Sequence, residues 1–91
     1  MATYVVERSL PGITPEQLGA AAKAAKETTA RMTEEGTPVR YLRTTFVPGE
    51  DTCSCLFEGP SAQAVQEAND RAQIPYTRVV EVMHVAAEEV S

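Results

Sequence analysis

Hydrophobic and polar residues alternate along four stretches of the chain. Alternation combined with β-branched and aromatic residues is typical of a strand that buries one face. The pattern predicts strands at Thr3–Arg8, Val39–Val47, Thr52–Glu58 and Arg78–Ala86. The two central strands are joined by the turn-forming residues Pro48–Asp51, so they are expected to form a hairpin.

Two further stretches have apolar residues three and four positions apart, which is typical of amphipathic helices. The first helix is predicted from the N-cap Thr14 and Pro15 to about Glu35. The second is capped by Ser61 and extends to about Gln73. The predicted buried stripes are Leu18, Ala21, Ala22, Ala25, Thr29 and Met32 in the first helix, and Ala64, Val65, Ala68 and Ala72 in the second.

The predicted element order is β-α-β-β-α-β, which indicates an α+β, ferredoxin-like fold. Two helices are expected to cover one face of a four-stranded antiparallel sheet. At 91 residues the chain is long enough for one domain, spanning residues 1–91. The tail from Glu88 to Ser91 has no assigned structure.

Alternation also assigns side chains to the two faces of the predicted sheet. The helix-covered face is predicted to hold Tyr4, Val6, Leu42, Phe46, Cys53, Cys55, Phe57, Val80 and Val82. The open face is predicted to hold Val5, Glu7, Tyr41, Arg43, Thr45, Ser54, Leu56, Glu58, Glu81 and Met83. Because this second set leaves apolar area in water, we expect a homodimer, of the dimeric α+β barrel type, that covers it.

Charge and composition narrow the expected partners. The chain has eight Lys and Arg but 13 Asp and Glu, so its formal net charge is -5. This excess of negative charge argues against nucleic acid as a partner. No basic, apolar leader precedes the first strand, and no apolar run has the roughly 20 residues of a membrane span. We therefore expect a cytoplasmic protein that does not enter a membrane, with reduced thiols.

The charged residues of the predicted open face form one candidate site. Glu7, Tyr41, Arg43, Glu58 and Glu81 could bind a small polar ligand, and a carboxylate buried in a dimer cavity would have a raised pKa suited to a general base. The alternative interpretation is a set of ion pairs between strands, which stabilise sheets modestly.

Other residues could bind a metal. His84 is the only histidine, and imidazole is a common metal ligand, so Glu88 and Glu89 in the tail could complete a site with it. Cys53 and Cys55 have CxC spacing rather than the CxxC of zinc and thioredoxin motifs. Buried, unreactive thiols are the favoured interpretation of this pair, with a soft-metal or redox site as the alternative.

Four segments together resemble a family of small bacterial ferredoxin-like domains that includes a nickel-binding protein. They are YVVERSLPGITPEQL at Tyr4–Leu18, VRYLRTTFVP at Val39–Pro48, CLFEGPSAQAV at Cys55–Val65 and IPYTRVVEV at Ile74–Val82. The resemblance implies a ferredoxin-like fold, a homodimer and binding of Ni²⁺ or another divalent transition metal at the dimer surface. Glu7, Arg43, Cys55, Glu58 and Glu81 match recurring positions of the family, without an assigned ligand role.

Two functions follow from these observations. The first is a non-enzymatic metal-binding protein, most simply one that binds and sequesters nickel, with His84 and Glu88 as candidate ligands. The second is a dimeric small-molecule-binding protein or enzyme, whose inter-subunit cavity is lined by the open-face charges. A purely structural or interaction domain is a third hypothesis.

Overall fold

The computed structural model describes residues 1–90, which form seven elements. The elements are β1 (Ala2–Ser9), α1 (Pro15–Glu34), β2 (Arg40–Val47), β3 (Thr52–Gly59), α2 (Ala62–Arg71), β4 (Arg78–Val82) and a 3-10 helix (Ala87–Glu89). The predicted β-α-β-β-α-β order is confirmed. Ser91, the last residue of the predicted tail, lies outside the described residues.

The four strands form one antiparallel sheet in the order β2-β3-β1-β4, and the two helices cover one of its faces. The central pair is β1 and β3, with Tyr4 opposite Phe57 and Val6 opposite Cys55. These four side chains are buried beneath the helices. Met32 of α1 and Val65 of α2 pack on the same core. The predicted α+β, ferredoxin-like fold is therefore correct.

Both helices begin as their sequences predict. The Thr14 hydroxyl accepts a hydrogen bond from the Gln17 amide at 3.1 Å, and the Gln17 side chain accepts one from the Thr14 amide at 3.0 Å. This reciprocal arrangement satisfies two donors that a helix N-terminus leaves free. At α2, the Ser61 hydroxyl accepts a hydrogen bond from the Ala64 amide at 3.2 Å.

Both helices end in the same hydrogen-bonding pattern. After α1, the Gly36 and Thr37 amides donate to the carbonyls of residues 33 and 32, at 3.1 and 2.9 Å. After α2, the Gln73 and Ile74 amides donate to the carbonyls of residues 70 and 69, both at 3.1 Å. The pattern requires a left-handed residue, which is Gly36 (φ 109°) in one helix and Gln73 (φ 58°) in the other.

A bulge in β2 corrects two face predictions. Tyr41 pairs with Phe57 but Arg43 pairs with Leu56, so Leu42 is an extra residue without a partner in β3. Tyr41 therefore faces the helices, not the open face, and Leu42 is not part of the helix-side core. Residues beyond the bulge keep their predicted faces, as the packing of Phe46 against the core shows.

The last strand differs from its prediction in length and in orientation. It ends at Val82 rather than Ala86, and it pairs only with β1. Val80 lies opposite Val5, so Val80 and Val82 are on the open face, while Val79 packs against the core. Glu81 was predicted on the open face, but it pairs with Tyr4 and has the helix-side orientation. The run Arg78–Val82 has valines of both parities, so alternation does not fix its orientation.

The two helix ends predict opposite effects of a matched pair of substitutions. Gln73→Gly should raise the free energy of unfolding by about 1 kcal/mol, because a side chain in the left-handed region costs roughly that amount. Gly36→Gln should lower it by a similar amount. Chemical denaturation of both variants and the wild type measures the difference, and equal stability of all three proteins would contradict the explanation.

Burial in the core predicts a large loss of stability when one strand residue is substituted, and almost no loss when another is. Phe57 is fully buried beneath the helices, so Phe57→Ala should lower the free energy of unfolding by about 3–5 kcal/mol. Val47, at the end of β2, is 42% exposed. Val47→Thr keeps a β-branched side chain there and should change stability by less than about 0.5 kcal/mol. Thermal or urea unfolding distinguishes the two outcomes.

Candidate functional site

Ion pairs dominate the charged part of the open face. Glu7 accepts two hydrogen bonds from the Arg78 guanidinium, 2.8 Å from Nε to Oε1 and 3.2 Å from Nη2 to Oε2. Glu58 Oε1 lies 3.7 Å from Nε of Arg40. Two of the predicted site residues are thus engaged by cations on the neighbouring strands, as the ion-pair interpretation expected.

The electrostatics of Glu7 do not suit a general base in the single chain. The hydrogen bonds from Arg78 lower the pKa of the Glu7 carboxyl, and desolvation opposes this to a smaller extent. Proton abstraction near neutral pH is favoured by a raised carboxyl pKa, so the shift has the opposite sign from the one expected for a buried cavity.

The predicted five-residue ligand site is divided between two faces of the sheet. Glu7, Arg43 and Glu58 are on the open face. Tyr41 lies on the helix side, where its ring meets that of Phe57 edge to face at a centroid distance of 5.5 Å. Glu81 has the helix-side orientation but is exposed, because it lies on the edge strand. The prediction that these five residues share one face is therefore wrong.

The candidate metal ligand His84 follows the end of β4 and is exposed. It lines an open depression at the sheet edge together with Glu81, Met83, Met1 and Thr3. Glu88 is an exposed residue of the 3-10 helix and does not line this depression. Within residues 1–90, no three His, Cys, Asp or Glu side chains are close enough to hold a metal ion together.

A second cluster lies inside the protein, between α1 and the sheet. The Cys53 and Cys55 sulfurs are 3.8 Å apart, and the Thr44 hydroxyl is 3.1 Å from Cys55 Sγ. The Tyr41 hydroxyl lies 2.6 Å from the Thr44 hydroxyl. Both cysteines are free and buried, so the favoured sequence interpretation of buried thiols describes their placement.

Arg8 completes this internal cluster. It lies directly opposite Cys53 in the β1–β3 ladder and is only 3% exposed. Its guanidinium donates to the Asn69 side chain from Nη2 at 2.8 Å and to the Pro75 carbonyl from Nη1 at 3.2 Å. Its Nε has no hydrogen-bond partner, and in the described chain no carboxylate lies within ion-pair distance of it.

Burial determines the ionisation of the Cys53 thiol. It raises the pKa of Cys53 to about 11, and the neighbouring Cys55 adds to the effect, while Arg8 opposes it. Burial also raises the pKa of the Tyr41 hydroxyl, against the hydrogen bond from Thr44. The Cys53 thiol is therefore protonated at neutral pH. Sequence reasoning overlooked Arg8, although it has the same parity as the buried Tyr4 and Val6.

Comparison with known proteins assigns the chain to a family. The family described as nickel responsive protein SCO4226-like matches residues 4–82. The chain belongs to this family. The crystal structure of SCO4226 from Streptomyces coelicolor A3(2) is similar, with 31% sequence identity and a TM-score of 0.76. The match covers 93% of this chain and 100% of that one. No curated protein matches the sequence.

This match confirms the family resemblance that the four sequence segments indicate. The matched range begins in β1 and ends with β4, so it includes Glu81 but not His84. None of the helices in the described residues is both long and apolar enough to cross a membrane.

The Glu7–Arg78 pair predicts how one carboxyl titrates. Arg78→Met keeps the length of the side chain but removes its hydrogen bonds, so the Glu7 pKa should rise towards its ordinary value. In the wild type, the lowered pKa stabilises the folded state above the pKa of an unfolded glutamate. This contribution is lost as the pH falls through the folded value, so the variant should lose less stability on acidification.

Carboxyl NMR titration measures the Glu7 pKa, and urea unfolding at several acidic pH values measures the stability. Arg71→Met is a matched control, because Arg71 pairs with Glu35 and Glu67 instead of Glu7. A Glu7 pKa that is the same in the wild type and in Arg78→Met would show that the pair has no effect on ionisation.

Proposed function

We propose that this SCO4226-like protein binds nickel and sequesters it, without catalysing a reaction. The observation that carries the proposal is membership of a nickel-responsive family across residues 4–82. The acidic balance of the chain, with a formal net charge of -5, supports association with cations. The expected cellular location is the cytoplasm, where free nickel would need to be held.

The donors at the sheet edge fit nickel only in part. Imidazole and carboxylate groups suit this ion, and His84 and Glu81 line the same depression. Two donors are fewer than a closed site requires, and the described chain has no three-residue cluster that could supply one. We therefore propose that His84 anchors the ion, with Glu81 beside it, and that water or a second chain supplies the remaining ligands. Glu88 is the alternative carboxylate.

A homodimer is part of the proposal, and the open face supports it. Val5, Val80 and Val82 are on this face, where no helix covers them, and each is only partly buried. An apolar sheet face of this kind is commonly buried against a partner. A second copy would also place a second set of edge donors in the same assembly.

The alternative function, a ligand-binding or catalytic cavity between subunits, has less support. Of its five predicted residues only Glu7, Arg43 and Glu58 are on the open face, and both carboxylates are paired with arginines. The nickel-binding function is therefore preferred.

Calorimetric titration of nickel tests the proposal. The wild type should bind nickel saturably, and His84→Ala should weaken binding at least about tenfold, which corresponds to a loss of about 1.4 kcal/mol of binding free energy. Glu81→Gln and Glu88→Gln are a matched pair of neutral variants, and only the first should weaken binding. Zinc and cobalt titrations measure selectivity. Equal nickel affinity of the wild type and His84→Ala would refute the anchoring role of His84.

A further inference from the structure

We propose that Cys53 and Cys55 form a buried binding site for one monovalent thiophilic metal ion, Cu(I) or its analogue Ag(I), with Arg8 as the counter-charge. This site is separate from the sheet edge at which nickel binding is proposed. The inference depends on the placement of the two sulfurs, on the unpaired charge of Arg8 and on the size of the cavity between them.

The two sulfurs are placed to share one ion. Residues two apart in a strand point to the same face, so the CxC spacing brings both side chains into the core. Their sulfurs are 3.8 Å apart in the reduced protein, and both line the cavity beneath α1. Thiolate sulfur is the ligand that selects soft ions such as Cu(I).

The number of ligands favours a two-coordinate ion over a tetrahedral one. Zinc in a structural site takes four protein ligands. Cu(I) and Ag(I), which have filled d shells, are satisfied by two thiolates. In the part of the chain that the structure describes, no third His, Cys, Asp or Glu joins the two cysteines. The pair alone therefore makes a complete site only for a soft ion that is satisfied by two ligands.

Charge balance favours a monovalent ion among the two-coordinate ones. Binding would follow 2 RSH + M⁺ → [M(SR)₂]⁻ + 2 H⁺, so each sulfur exchanges a proton for a metal bond and the complex carries one negative charge. Arg8 is opposite Cys53, buried, and without a carboxylate partner among residues 1–90. A buried charge without a partner is costly, and the anionic complex would neutralise it. A divalent ion with two thiolates would be neutral and would leave Arg8 unbalanced.

The unsatisfied nitrogen of Arg8 is an independent sign of a missing partner. Nη1 and Nη2 have acceptors, but the buried Nε has none among the residues that the structure describes. Arg8 also lines the cavity, and the other walls include Leu10, Leu18 and Ile74. Apolar walls lower the local polarity, and low polarity strengthens the attraction between the guanidinium and the complex.

The size of the cavity limits what can occupy it. Its interior has a volume of about 10 Å³, which is about the space of one water-sized sphere. A single ion fits such a space, whereas an organic anion does not. One water molecule bonded to Arg8 Nε would also fit, and that is the outcome that the experiment must distinguish.

Native mass spectrometry of the reduced protein, titrated with Ag(I) or, without oxygen, with Cu(I), tests the proposal. The wild type should retain one ion per chain and lose two protons in exchange for it. The single variants Cys53→Ser and Cys55→Ser should lose stoichiometric retention. His84→Ala, a change at the proposed nickel site, should retain the ion as the wild type does.

Competition with a chromogenic Cu(I) chelator measures the contribution of Arg8. Arg8→Met keeps an unbranched side chain of similar length, and it should weaken Cu(I) binding at least about tenfold if the charge stabilises the complex. Arg40→Met, which removes an arginine from the open face, should leave the affinity unchanged. Circular dichroism of each variant verifies its fold.

Proton release on metal binding is measured with the wild type in weakly buffered solution. This measurement does not depend on whether any variant folds. Two protons per bound ion support the site. Retention of the ion by the Cys53→Ser/Cys55→Ser double variant would overturn the proposal. So would the absence of retention by the wild type, with Arg8 bonded to water only. If the same preparation fails to bind nickel, that result would contradict the proposed nickel site at the sheet edge and would not bear on the cysteine site.

Discussion

The pairing of β1 with β3 is the constraint on which the rest of the molecule depends. Tyr4 and Val6 of one strand face Phe57 and Cys55 of the other, and all four are buried beneath the helices. A shift of one residue would turn these side chains towards the uncovered face and expose the core. The burial of apolar area therefore fixes the register, and the register in turn fixes where each polar group lies.

The same register explains why the two faces carry different chemistry. Glu7 points to the uncovered face, where it meets Arg78 of the neighbouring edge strand. Arg8, the next residue, points inward and lines the same cavity as the two thiols. Exposed pairs of the first kind are screened by water and contribute little binding chemistry. A buried and unbalanced charge such as that of Arg8 interacts strongly with any group in the interior. The two faces of the sheet therefore differ in the ligands that they can bind.

Local signals predicted the elements, but not every orientation within the sheet. The capping residues Thr14 and Ser61 fixed the helix starts, because a cap depends only on neighbours in sequence. The bulge at Leu42 depends on how β2 pairs with β3, which no local pattern reveals. Because alternation does not include the bulge, it predicts the wrong face for Tyr41. The edge strand β4 has apolar residues of both parities, so only its pairing with β1 decides that Val79 is the inward one.

The candidate sites were predictable to a smaller extent. The burial of the cysteines followed from their residue type, whereas their association with Arg8 follows from strand pairing across distant parts of the chain. Arg8 occupies the inward parity that Tyr4 and Val6 define, but arginine at a strand end is usually assigned to solvent. The placement of Glu81 and His84 in one depression likewise depends on where β4 ends, and the sequence pattern extends that strand four residues too far.

The position of β1 in the middle of the sheet has a consequence for how the protein is synthesised. Ala2–Ser9 is synthesised before both of its neighbours, β3 and β4, which lie beyond residue 51. The strand must therefore wait, with its valines unpaired, until most of the chain has been translated. Pairings so distant in sequence slow folding and prolong the exposure of aggregation-prone segments. The hairpin of β2 and β3 can form earlier, and β1 can then pair with the free edge of β3.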